Sequence, residues 1–108
     1  MSNLYSVKIQ KEAINELDQI FRFIFQGAPT QAKKFVKELE KKALSLAQFP
    51  NRGSRIKILE EEDEEIEEIR FIEHKRYLIF YTLEEVRQTV TILHFSSPGR
   101  NWIELFLN

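Results

Sequence analysis

Apolar positions recur along this chain in two periods, and the switches between them divide it into elements. Leu4 to Ile9 alternates, with Tyr5, Val7 and Ile9 on one side and Ser6 and Lys8 on the other, as a half-buried strand does. From Lys11 the period lengthens. Ala13, Ile14, Leu17, Ile20, Phe21, Ile24 and Phe25 fall on one face of an amphipathic helix that Gly27 ends. A second helix opens at Pro29, whose missing N–H suits a first turn, or one residue later with Thr30 as N-cap. Its stripe is Ala32, Phe35, Val36, Leu39, Ala43, Leu46 and Ala47, while Lys33, Lys34, Lys37, Lys41 and Lys42 fall outside it. Phe49-Pro50 stops this helix, and Gly53 marks a tight turn before a short extended piece, Arg55-Ile56-Lys57-Ile58.

Alternation then returns in three runs joined by short charged connections, predicting strands over 66–73, 77–83 and 86–95. In the last run Val90, Ile92 and His94 share one face, with Thr89, Thr91, Leu93 and Phe95 on the other, so His94 leaves the sheet where its core stops. In the first run, Ile69 and Phe71 facing the core would turn Arg70 to the opposite side with Ile72 and His74. There it either binds an anion or covers apolar surface with its stem. The order β-α-α-β-β-β places a helical hairpin on one face of a small, mainly antiparallel sheet: an α+β fold, expected as one domain over residues 1–108. The tail after residue 96 is apolar for a terminus, from Trp102 to Leu107, and either returns to the core or meets a partner.

The net charge of −1 hides an uneven distribution, because eight of the 17 acidic residues lie between Glu60 and Glu68. Without that run, 16 Lys and Arg face 9 Asp and Glu, a basic body suited to a nucleic acid or an acidic protein. The run itself reads as a solvated loop, or as a displaceable cover that competes with an anionic partner for the basic surface. The chain has no cysteine, and its two histidines, His74 and His94, are well separated, so no disulfide, metal centre or cofactor is expected. No apolar stretch is long enough to cross a bilayer and the first residues carry no leader pattern; the cytoplasm is the expected location, with no membrane partner.

The opening strand followed by AINELDQIFRFI, the second-helix pattern QAKKFVKELEKKALSLAQFP with Gly53 beyond it, the single Arg in EEIRFI, the strand YLIFY and the run TVTILHFSS carry a resemblance that spans nearly the whole chain. In their order and spacing they resemble the RelE/ParE superfamily of toxins from type II toxin–antitoxin modules, sometimes labelled plasmid stabilisation proteins. The resemblance implies a small α+β toxin that binds or cuts an essential target and is neutralised by a cognate antitoxin.

Two branches of the superfamily imply different chemistry. RelE-like members cut mRNA on the ribosome by driving a 2′-hydroxyl onto the neighbouring phosphate, which needs a base, an acid and cations for the phosphate charge. They usually carry an Arg directly after the first Tyr of the central strand, where this chain has Leu78. Arg76, two residues earlier, is expected on the same face as a partial substitute, and Arg70, Tyr77, His94 and Arg100 complete the ribonuclease candidates, with Lys75 and Tyr81 as further polar groups. ParE-like members poison DNA gyrase by binding and need only a contact surface, which the missing Arg and the long paired helices fit better. Arg52, Arg55 and Lys57 in the loop after the second helix join Arg70, Arg76, Arg100 and Trp102 as candidates for binding target or antitoxin, although a solvated basic loop explains the first three equally well. The antitoxin is expected at the sheet edge, the groove between sheet and helices, or the basic surface. Family toxins tend to be basic throughout, so the acidic run also leaves open a degenerate member that keeps the fold without toxicity.

Overall fold

A computed structural model describes residues 4–56 and 68–106, so Lys57, the acidic run up to residue 67 and Leu107 lie outside the described residues. The elements follow in the order β1 (Ser6–Ile9), α1 (Lys11–Phe25), α2 (Pro29–Leu44), β2 (Ser54–Ile56), β3 (Ile69–His74), β4 (Tyr77–Glu84) and β5 (Thr89–Ser96), with short 3-10 turns at Ser45–Ala47, Pro50–Arg52 and Trp102–Leu105. The strands form one sheet in the order β1-β5-β4-β3-β2, antiparallel except for β1, which runs parallel to β5. This is the predicted α+β architecture, with the short piece after Gly53 serving as the outermost strand.

The helical hairpin covers one face of the sheet. Ala13, Leu17 and Ile20 of α1 and Leu39 and Ala43 of α2, with Leu46 just beyond, bury against Ile72, Ile79, Tyr81, Val90, Ile92 and Phe95. The buried arc of α1 is narrower than its apolar stripe: Ile14 and Phe25 stay 52% and 48% exposed, because each lies roughly 100° around the helix from a core-facing residue next to it in sequence. Proline takes the first position of α2 and no side chain caps that end.

Three expectations are corrected by the sheet. The run predicted over 86–95 starts as a strand only at Thr89; Val86 sits at the tip of a four-residue turn and is almost fully exposed. Its faces are also not regular. Tyr81 pairs with Ile92 and Phe80 with His94, leaving Leu93 as an extra residue, and this bulge reverses the alternation. Val90, Ile92 and Phe95 therefore face the helices, and His94 turns to the other side. Finally, Arg70 pairs with Tyr81 and Ile72 with Ile79, so both face the main core, whereas Phe71 pairs with Phe80 on the opposite face.

That opposite face has its own cover, formed by the tail. The ring of Trp102 lies 5.4 Å from Phe80 and the ring of Phe106 lies 5.2 Å from Phe80 and 5.4 Å from His94. The returning tail buries Phe80 completely but leaves Phe71, Leu78 and Leu93 half-buried, so it covers the second side of the sheet less fully than the helices cover the first. No helix among the described residues is long and apolar enough to cross a membrane.

Candidate functional site

The turn between α2 and β2 is held by residues that the sequence presents as free cations. Arg70 is only 8% exposed. Its guanidinium donates to the backbone carbonyls of Asn51 (2.9 Å) and Gly53 (3.1 Å) and meets Glu68 at 3.0 Å. Tyr81 approaches the same turn from the core, its hydroxyl donating to the Pro50 carbonyl while accepting from the Gly53 N–H at 3.1 Å. Burial pushes the Tyr81 phenol pKa up. Arg52 donates to the Gln48 carbonyl at 2.7 Å and the Ser45 carbonyl at 3.3 Å, placing a cation at the carbonyl end of the second helix, where the helix dipole favours it. Arg55 pairs with Glu68 at 2.7 Å.

At the other end of β3 a groove of about 460 Å³ opens between the helices and the sheet, floored by Ile24, Phe35 and Tyr77 and edged by Gln31, Lys34, Glu38 and Lys75. Phe35 stacks 4.9 Å from Tyr77. His74 donates to Glu38 at 3.1 Å and Lys75 does so at 3.0 Å; these bonds, the histidine's first, hold the Glu38 pKa below its usual value. A depressed carboxylate pKa means this strap between α2 and β3 contributes in full above the ordinary carboxylate range and fades as pH falls through the depressed value.

The hairpin tip beside the groove is unusual. His74 pairs with Tyr77, so Lys75 and Arg76 alone make the turn, with φ of 49° and 75°. Two positive φ values in a two-residue loop define a type I′ turn, which normally uses Asn-Gly because side chains with a Cβ are strained there. Replacing Lys75-Arg76 by Asn-Gly is expected to raise stability by about 1 kcal/mol, after discounting the exposed Lys75–Glu38 pair. Thermal melting checks this: an unchanged or lower midpoint would mean that the cations support the fold. Arg76 thus does not share a strand face with Leu78, as expected from spacing, but projects from the tip.

A second cleft of about 210 Å³ shares Tyr77 with the groove and brings in Glu16, Phe23, Ser97 and Arg100. Glu16 completes the sheet edge here. Pairing between β1 and β5 stops at Ile92, and the Glu16 carboxylate accepts the next free edge donor, the Phe95 N–H at 3.0 Å. It also accepts from His94 Nδ1 at 3.1 Å. The fold therefore brings Tyr77 and Arg100 together and ties His94 to their cleft through Glu16. It does not bring Arg70 or Arg76 to that cleft. Arg70 and His94 lie on opposite faces of the sheet with β4 between them, so they cannot hold one phosphate together. Trp102 packs on Phe80, and Arg52 and Arg55 are engaged as described. Sequence reasoning missed Glu16, Glu38 and His74 as linkers of helix to sheet, since the two glutamates are ordinary polar helix positions and His74 read only as a strand residue. Among the described residues no group of three His, Asp or Glu could hold a metal ion.

Comparison with known proteins gives this geometry its relatives. Residues 7–102 match the family described as ParE toxin of type II toxin–antitoxin system, parDE. A search of curated proteins found no match. Among solved structures, the chromosomal ParDE system of P. aeruginosa is similar at 20% identity with a TM-score of 0.66, covering 91% of this chain and 100% of that one. The RelBE2 toxin–antitoxin complex of Mycobacterium tuberculosis is similar at 17% identity with a TM-score of 0.64, covering 90% of this chain and 94% of that one. A mutant of E. coli RelE in the free state is similar at 14% identity with a TM-score of 0.56, covering 94% of this chain and 92% of that one. At these identities the structures share the fold.

Proposed function

The chain belongs to the family of ParE toxins of type II toxin–antitoxin systems, and from that premise we propose that it inhibits DNA gyrase by binding it, performs no bond-making chemistry, and is held inactive by a cognate antitoxin. The observation that carries this reading is the separation of Arg70 from His94 across the sheet, with Arg70 committed to backbone carbonyls. Cleavage of RNA requires acid, base and phosphate-binding groups around one reacting centre. Leu78 supplies neither charge nor donor, and it faces the tail side of the sheet opposite Glu73. A contact surface needs no such convergence.

A second reading, the ribosome-dependent endoribonuclease, draws on Tyr77 and Arg100 in one cleft with Glu16. Inducing the protein alone in a bacterium and following DNA and protein synthesis separately by pulse labelling distinguishes the two. An early fall in DNA synthesis with translation intact supports gyrase inhibition. An early fall in translation turns the assignment to the ribonuclease, and no effect on either marks a non-toxic member.

The groove beside Tyr77 suits the antitoxin. Its apolar floor accepts apolar side chains, and Lys34 at its edge, where Lys75 is already bonded to Glu38, favours a carboxylate in the same segment. Lys34→Glu is expected to weaken antitoxin binding about tenfold at low salt, with the deficit shrinking as salt screens the rim. Titration calorimetry at two ionic strengths checks this; an affinity unchanged at low salt would move the antitoxin elsewhere.

A further inference from the structure

Phe49 combines three features that rarely coincide. Its backbone is left-handed, with φ 50° and ψ 55°, a conformation that a bulky side chain adopts only when its surroundings enforce it. The residue is 76% exposed. The turn it begins is clamped at every following residue: Tyr81 holds the Pro50 carbonyl, Arg70 holds those of Asn51 and Gly53, the Arg52 N–H returns to the Phe49 carbonyl at 3.2 Å, and the Arg52 side chain holds the Gln48 carbonyl just before it. Chain folding alone would place the ring inside or replace it by a residue indifferent to water and to positive φ. Instead a rigid, strained turn presents a single aromatic side chain outward, an arrangement that binds with little loss of freedom because the freedom is already gone.

The surrounding charges indicate what the ring meets. A nucleic acid would require cations available for phosphates. Arg52 is bonded to the Ser45 and Gln48 carbonyls and the Ser45 hydroxyl, Arg70 to the Asn51 and Gly53 carbonyls and Glu68, and Arg55 to Glu68, which leaves Lys42 as the one unpaired cation lining the pocket at this turn among the described residues. An aromatic knob whose neighbouring guanidiniums are already occupied suits an apolar pocket on a protein, the setting in which buried aromatic anchors dominate binding. Phe49 lines neither groove beside Tyr77, so the segment seated there leaves it free. We infer that Phe49 is the anchor by which the toxin inserts into an apolar pocket of its target protein, separately from the antitoxin. This rests on the toxin reading given above.

The test compares wild type, Phe49→Ala, Phe49→Gly and Phe49→Tyr for growth arrest on induction, thermal midpoint and affinity for the cognate antitoxin. The expected result is at least a hundredfold recovery of plating for the alanine and glycine variants. The midpoint of the alanine variant should stay close to wild type, because alanine keeps the Cβ and no core contact is lost, and that of the glycine variant should lie at or above it, because glycine relieves the left-handed strain. Antitoxin affinity should stay within threefold, and Phe49→Tyr, which keeps the ring but carries a hydroxyl into an apolar pocket, should fall between wild type and Phe49→Ala in growth arrest. Full toxicity of Phe49→Ala overturns the inference, as does a loss of antitoxin affinity or of thermal midpoint in step with toxicity. Weakened binding of a single-stranded RNA oligonucleotide by purified Phe49→Ala also overturns it, pointing to stacking on a base. A wild-type chain that does not arrest growth removes the toxin reading and this inference with it, whereas arrest by wild type and Phe49→Ala alike removes this inference alone.

Discussion

Arg70→Ala is expected to destabilise the protein by about 3 kcal/mol and to lower its thermal midpoint by on the order of 15 °C. The substitution removes charge-assisted hydrogen bonds to the Asn51 and Gly53 carbonyls and strips Glu68 of its more buried partner. Bonds of this kind contribute roughly 1.5–3 kcal/mol each when a charged group is involved, and the carbonyls left behind are only partly reached by water. Arg70→Lys should recover less than half of the loss, because an ammonium cannot span two carbonyls and a carboxylate as the planar guanidinium does. Chemical denaturation of the three proteins measures this. A melting curve unchanged in Arg70→Ala, together with abolished toxicity, would instead make Arg70 a functional group at a reacting centre.

Gly53→Ala is expected to cost about 2–4 kcal/mol. The reason is space and not backbone angle, since Gly53 has an ordinary extended conformation with φ −74°. A Cβ there would lie 2.5 Å from the Tyr81 hydroxyl and 2.8 Å from the Phe71 carbonyl oxygen. The carbonyl belongs to β3 and cannot retreat without disturbing the sheet, and Tyr81 is fully buried. Repeating the change in a Tyr81→Phe background separates the two clashes: if the hydroxyl dominates, the alanine should cost distinctly less there. The same phenol sets an alkaline limit. Its folded pKa lies above the unfolded value, so the native state holds the proton more tightly, and stability falls as pH climbs beyond about 10. Tyr81→Phe should flatten that decline. An alanine variant as stable as wild type would mean that the turn can move aside and is not the fixed mount that Phe49 requires.

The elements were legible because their periods are: the stripes of α1 and α2 and the alternation of β3 and β4 reflect which residues must leave water. What escaped were features set by pairing between distant segments. The bulge at Leu93 has no local mark, yet it decides on which side of the sheet His94 and Phe95 emerge. Arg70 reads as an exposed cation because nothing in its neighbourhood says that the carbonyls of the 50–53 turn will surround it. The I′ turn at Lys75-Arg76 lacks the Asn or Gly that would announce it. Glu16 becomes an edge partner only because β1 ends before β5 does. Of the candidate site residues, spacing alone indicated that Tyr77 and Arg100 are polar groups near strand ends; their common cleft with Glu16 is a product of the tertiary fold.

The parallel pairing of the first strand with the last also governs when this molecule can exist during synthesis. Ser6 waits for Thr89 and Glu16 waits for Phe95, whereas the helical hairpin and the β3–β4 hairpin can close as soon as they are made. Contacts so distant in sequence form late and slowly. A chain still attached to the ribosome at its C-terminal strand therefore has helices without the sheet that seats them, and the finished surface arises only after translation has passed β5. A cell that makes such a protein thus gains an interval, set by chain topology, in which a neutralising partner can already be waiting.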